Sequence, residues 1–238
     1  MLNEYNQGRL IFKLYGVEES SLTEYKKYLL ANFGGGVTAD FERKGDDFTL
    51  YLWKEDGADN QLFDRAVKSF INTFSSFIYA NEEVTLAENA VALLKVSSKT
   101  LCSAESFTGG AIANAIVRVP GASEVFYEGL VCYNTNAKIE RLGVSPITVK
   151  SHTVVSREVA FEMVRGLIEG GKCDIAVATT GYASPTGDKE KPCGLCYVAV
   201  ANEQRAEVFR YNLKGTREQI INKGTELALF AVNKLLRG

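Results

Sequence analysis

Ser106, Tyr133 and Lys138 are the side chains best suited to chemistry in this sequence. Ser106 lies in AESFTGG, where Thr108, Gly109 and Gly110 gather hydroxyls and free backbone amides around it. Tyr133 and Lys138 open and close YNTNAK, at the expected junction of a strand and a helix. A third polar group comprises Thr180, Gly181 and Gly187 of TTGYASPTGD, with Arg217 at another helix start. A serine attacks a carbonyl efficiently only when a base takes its proton. His152 is the one histidine, which removes a multi-histidine metal site and leaves Lys138 as the candidate base if burial lowers its pKa. Tyr133 would then relay the proton or orient the lysine. The plainer alternative makes Ser106 or Thr108 a helix cap, Lys138 a surface cation and Tyr133 a packed strand-end aromatic, with His152 a loop or cap residue.

These residues need strands and helices to hold them. Thr100 to Ala104 reads as a buried strand and Ala111 to Val117 as a helix, so residues 105–110 form the turn between them. That helix start would offer unpaired N–H groups and the positive pole of the helix to a phosphate, a carboxylate or an oxyanion. Further strands are expected at Val125 to Tyr133, Asp174 to Thr180, Leu195 to Ala201 and Arg205 to Leu213. Helices are expected from Thr85, from Asn136 to Leu142, after Ser156, and from a capping box at Thr216 and Gln219. Strands alternating with helices, plus one hairpin, imply a three-layer α/β/α domain with a mixed sheet. Its three polar loops would converge at the strand ends.

The earlier part of the chain differs. A strand at Arg9 to Val17, a helix capped by Ser21 and Glu24, a hairpin of Val37 to Glu42 with Asp47 to Trp53, a helix bearing Phe63, Val67, Phe70 and Phe74, and a short strand at Ser76 to Ala80 follow in order. This is the order of a small ferredoxin-like α+β domain. The aromatic stripe reads as core. Gly34 to Gly36 follows a helix rather than a strand, so it reads as a helix exit and not as a phosphate loop. The pattern changes near Asn81, giving a small domain over residues 1–81 and an α/β/α domain over 82–238.

Composition bounds the partners. A net charge of -2 and 24% charged residues give no electrostatic case for nucleic acid or an anionic membrane. No apolar run is long enough to span a bilayer, so the expected location is cytoplasmic. Five cysteines are read as reduced, buried thiols. Cys193 and Cys196 form C-x-x-C, but an extended strand there would turn them to opposite faces, against a shared bond or metal.

AESFTGG, VPGASEVF, CYNTNAK, RLGV, HTVVS and TTGYASPTGDKEKPCG, in this order, resemble the CinA C-terminal domain family, which includes nicotinamide mononucleotide deamidases. The resemblance runs from about Leu86 to the C-terminus, and residues 9–79 look like the small domain that precedes it in full-length relatives. It implies hydrolysis of the carboxamide of nicotinamide mononucleotide to nicotinic acid mononucleotide and ammonia, with no metal or cofactor. By motif, Ser106 matches the family's serine, Tyr133 and Lys138 its tyrosine and lysine, and Arg217 its arginine, a phosphate partner by virtue of its bidentate guanidinium. The resemblance also implies a homo-oligomer. Phe107, Glu128, Thr135 and the GYASPTGD loop depart from the family pattern, and a bulky Phe107 beside the nucleophile would narrow the pocket. The alternative function is a noncatalytic relative that binds a nucleotide or a protein.

Overall fold

The computed structural model describes residues 9–184 and 192–237. The chain divides into two compact units, Met1–Thr85 and Leu86–Gly238. In the first, β1 (Arg9–Tyr15), α1 (Glu19–Phe33), β2 (Val37–Lys44), β3 (Asp47–Lys54), α2 (Asn60–Phe74) and β4 (Ile78–Ala80) follow the ferredoxin-like order. The strands form an antiparallel sheet in the order β2-β3-β1-β4. Helix α2 begins where the Asp59 carboxylate accepts the N–H of Gln61, and it buries Phe63, Ala66, Val67, Phe70 and Phe74. The rings of Phe12 and Phe70 meet with centroids 4.8 Å apart, so the aromatic stripe is core. Gly34–Gly36 is a single 3-10 turn leaving α1. The capping box expected at Ser21 and Glu24 does not form: α1 already starts at Glu19, after an extended Glu18 that provides no side-chain cap.

The second unit contains α3 (Leu86–Val96), β5 (Leu101–Glu105), α4 (Ala111–Val117), β6 (Phe126–Val131), α5 (Thr135–Leu142), α6 (Pro146–His152) and α7 (Arg157–Glu169). It continues through β7 (Ile175–Gly181), β8 (Leu195–Ala201), β9 (Ala206–Asn212) and α8 (Arg217–Arg237). The sheet order is β6-β5-β7-β8-β9; β6, β5 and β7 are parallel, and β8 and β9 are antiparallel additions. On one face, small residues of the sheet, Cys102, Ala104, Ala176, Ala178 and Ala199, let α7 bury Val159, Met163, Val164 and Leu167 against it. The other face carries α8, which packs on β8 and β7 and touches α3 and α4. There Asn89 donates to the Asn233 carbonyl at 2.6 Å, and Asn233 donates to the Leu86 carbonyl at 2.8 Å, so a buried amide pair ties α3 to α8.

This topology places the site. Strand β5 has β6 on one side and β7 on the other, so the chain leaves it in one direction and returns on the far side. The connection through α4 and the one through α5–α7 therefore separate beyond the end of β5, the position at which open α/β sheets bind their ligands. Ser106 is the first residue past that end.

Candidate active site

Each side chain of the site is held by a local device. Helix α5 starts where Asn134 accepts the N–H of Asn136 and ends at Gly143, whose φ of 67° closes the last turn. A Cβ at Gly166 of α7 would lie 2.0 Å from the Leu142 carbonyl oxygen, so that glycine lets α7 press against the end of α5. The face of α5 turned inward carries Lys138, which is 0% exposed. Its Nζ donates to Ser106 Oγ at 2.9 Å, to the Cys132 carbonyl at 2.6 Å and to the Tyr133 carbonyl at 3.3 Å. Burial pushes its pKa from the ordinary 10.5 down to about 8, against a smaller opposing influence of the Cys132 thiol. The two carbonyls can only accept. When Lys138 is neutral, its two hydrogens satisfy them and its lone pair is left for the Ser106 hydroxyl. The surface-cation alternative for Lys138 is thereby excluded.

Ser106 itself is 7% exposed. Its N–H donates to the Thr179 carbonyl at 3.0 Å, which continues the β5–β7 ladder into the turn. Next to it, the Thr108 and Thr179 hydroxyls lie 2.7 Å apart. Gly109 and Gly110 then turn the chain with φ of 61° and 100°, a backbone that glycine adopts without strain.

Glu105 changes the sequence picture of this turn. It is the last residue of β5 rather than a turn residue, and it is 1% exposed. Its carboxylate accepts the N–H groups of Gly110 at 2.9 Å, Ile112 at 3.1 Å and Ala113 at 2.9 Å. The start of α4, expected to be open to an anion, is therefore filled by the protein's own carboxylate, and neither Ser106 nor Thr108 caps it.

The remaining predicted residues separate. Arg217, the first residue of α8, donates to Ser184 Oγ at 2.9 Å and to the Tyr133 hydroxyl at 3.1 Å. Tyr133 is 61% exposed, and its phenol serves the arginine while its main-chain carbonyl holds the lysine. The reciprocal box at the head of α8 forms as expected, Thr216 and Gln219 each accepting the other's N–H, at 2.8 and 3.3 Å. The Thr180 hydroxyl instead donates to the Val154 carbonyl at 2.9 Å. Gly181 faces Cys196 and Phe107, and Gly187 lies outside the described residues. His152 ends α6 on the surface, its Nδ1 3.8 Å from a Glu158 oxygen.

Phe107 does not crowd the nucleophile. It is 3% exposed and packs with Ala183, Cys196, Leu213 and Ile220. A Cβ at Gly224 would stand 2.3 Å from its ring, so a glycine inside α8 makes the notch that receives it. Glu128 sits on β6, opposite Cys102, with Lys172 3.9 Å away. Cys193 precedes β8 in an exposed turn while Cys196 is buried inside the strand, so the pair is split by burial, not by strand alternation. All five cysteines are free thiols. Among the described residues, no group of three or more His, Cys, Asp or Glu side chains could hold a metal ion, and no helix is long and apolar enough to cross a membrane.

Fold and site together define an α/β/α domain with a buried serine–lysine pair at the switch point of a mixed sheet. The chain belongs to the CinA family: residues 83–236 match the CinA C-terminal domain. A CinA-like protein of Chlorobaculum tepidum is 42% identical over 171 residues, covering 69% of this chain and 40% of the relative. One from Fusobacterium nucleatum is 36% identical over 225 residues, covering 93% and 54%. The chain thus spans about half the length of the curated relatives it matches. Among solved structures, a competence/damage inducible protein from Agrobacterium tumefaciens is 31% identical with a TM-score of 0.62, covering 64% of this chain and 94% of that one. A CinA superfamily protein from Escherichia coli is 29% identical with a TM-score of 0.59, covering 64% and 90%.

Proposed function

We propose that the chain is a cytoplasmic amidohydrolase that converts nicotinamide mononucleotide and water to nicotinic acid mononucleotide and ammonia. The observation that carries this reading is the 2.9 Å contact between buried Lys138 and Ser106. Neutral Lys138 takes the Ser106 proton as Oγ bonds to the amide carbon. The tetrahedral species collapses, the C–N bond breaks, and the proton on Lys138 leaves with ammonia. Water then attacks the acyl-enzyme, giving one proton to Lys138 that returns to Ser106 as the carboxylic acid departs and loses its remaining proton to solvent. Arg217, braced by Tyr133 and Ser184, binds the phosphate of the substrate.

Ammonia release measured on nicotinamide mononucleotide, nicotinamide riboside and nicotinamide tests the reading. The mononucleotide is the expected substrate, and Arg217→Ala is expected to raise its KM with a smaller effect on kcat. Saturable binding of the mononucleotide without ammonia release from any of the three would favour the noncatalytic alternative.

A further inference from the structure

A tetrahedral intermediate on Ser106 needs hydrogen-bond donors for its oxyanion, and the N–H groups around the turn can be accounted for one by one. That of Ser106 goes to the Thr179 carbonyl at 3.0 Å, that of Gly109 to the Ser106 carbonyl at 3.2 Å and that of Ala111 to the Thr108 carbonyl at 3.1 Å. Those of Gly110, Ile112 and Ala113 go to Glu105. The N–H groups of Phe107 and Thr108 have no acceptor among the described residues. Both residues are 3% exposed. Unpaired donors are uncommon in so buried a place and costly when shut off from water.

We propose that the main-chain N–H groups of Phe107 and Thr108 form the oxyanion hole of this site, an inference that rests on the amidohydrolase reading above. As the Ser106 Oγ–C bond forms, the carbonyl π pair moves onto oxygen and the Ser106 proton moves to Lys138. The new negative charge is then covalently tethered to Ser106, one residue from the first donor and two from the second. In other enzymes with a serine on a strand–turn–helix, the N–H following the nucleophile does this work. The start of α4 cannot, because Glu105 holds its amides and its own charge opposes a second anion there. When the oxyanion collapses, its electron pair re-forms the C=O bond as C–N breaks. The burial of the Phe107 ring against Gly224 acquires a function here: it fixes the peptide plane that carries the first donor.

Two measurements on the full chain test the assignment. The first replaces the Phe107 amide by an ester, through incorporation of phenyllactic acid at that position, which deletes the N–H and keeps the ring. The kcat for ammonia release is expected to fall about 10²-fold with little change in KM. The second follows amide resonances of the unaltered protein with 3-pyridylboronic acid, which forms a tetrahedral anion on a serine oxygen. The Phe107 and Thr108 amide protons are expected to move downfield, and those of Gly110, Ile112 and Ala113 to stay with Glu105. Undiminished kcat in the folded ester form, or downfield movement at Gly110 and Ile112 in place of Phe107, overturns the oxyanion hole and leaves the amidohydrolase standing. A boronate adduct with the expected shifts but no ammonia release supports the hole and removes the proposed substrate. Neither adduct nor turnover overturns both. The resonance measurement needs no substitution, so it decides the matter even if the ester form does not fold.

Discussion

The chemistry at Lys138 is governed by its desolvation. With a pKa of about 8, roughly a tenth of the molecules carry neutral Lys138 at pH 7 and most do at pH 9. The kcat is therefore expected to rise with pH through about 8 and level off above it, which a pH–rate profile on the proposed substrate checks. The same shift affects stability, with a definite sign. The folded-state value lies below the unfolded one, so the cost of burying the charge is fully present below pH 8 and is relieved between about 8 and 10.5. Denaturant unfolding across that window is expected to show a stabilisation of about 3 kcal/mol from this group, absent in Lys138→Met. Glu105 has a different role, because its carboxylate gathers three N–H groups of the turn and α4. In Glu105→Gln, one acceptor oxygen becomes an NH₂ facing an N–H. Unfolding free energy is expected to fall by about 1–3 kcal/mol, measured by the same denaturant titration.

At the scale of elements, the site depends on helices that approach closely enough to hold loop residues still. Gly224 in α8 and Phe107 in the turn are one such fit. Gly224→Ala adds a methyl where the ring stands, and overpacking is expected to cost about 1–3 kcal/mol despite alanine's better helix propensity. Phe107→Leu removes the obstructing ring atoms, so the double variant should be more stable than the two single losses add up to, read from a double-mutant cycle of thermal unfolding. Much of this arrangement is legible in the residues alone: buried strands, the strand–turn–helix at Ser106, the box at Thr216 and Gln219, and the polar start of α5 all follow from local pattern. Glu105 is not, because a glutamate four residues before a glycine pair reads as loop until the turn folds its amides back onto the strand end. Helix α6 is also hidden; its seven residues bury no side chain completely and leave no apolar period, although Ser145–Pro146 carries a start signal. Nor does sequence spacing reveal that the phenol of Tyr133 pairs with Arg217, 84 positions away.

At the scale of the whole molecule, every residue assigned to the site belongs to the unit Leu86–Gly238, which has its own sheet and core. The Agrobacterium and Escherichia structures match 64% of this chain with 94% and 90% of their own, so they are chains of about the extent of this unit. A fragment of residues 86–238 is accordingly expected to fold cooperatively and to retain ammonia release, judged by thermal unfolding and the amide assay together. In the proposed reaction Ser106 and Lys138 act as nucleophile and base. Those two roles are tested by ammonia release from nicotinamide mononucleotide by the full chain beside folded Ser106→Ala and Lys138→Ala. The unaltered protein is expected to release ammonia, and kcat is expected to fall by ~10⁴-fold or more in both variants. Undiminished release in Ser106→Ala would rule out Ser106 as the nucleophile.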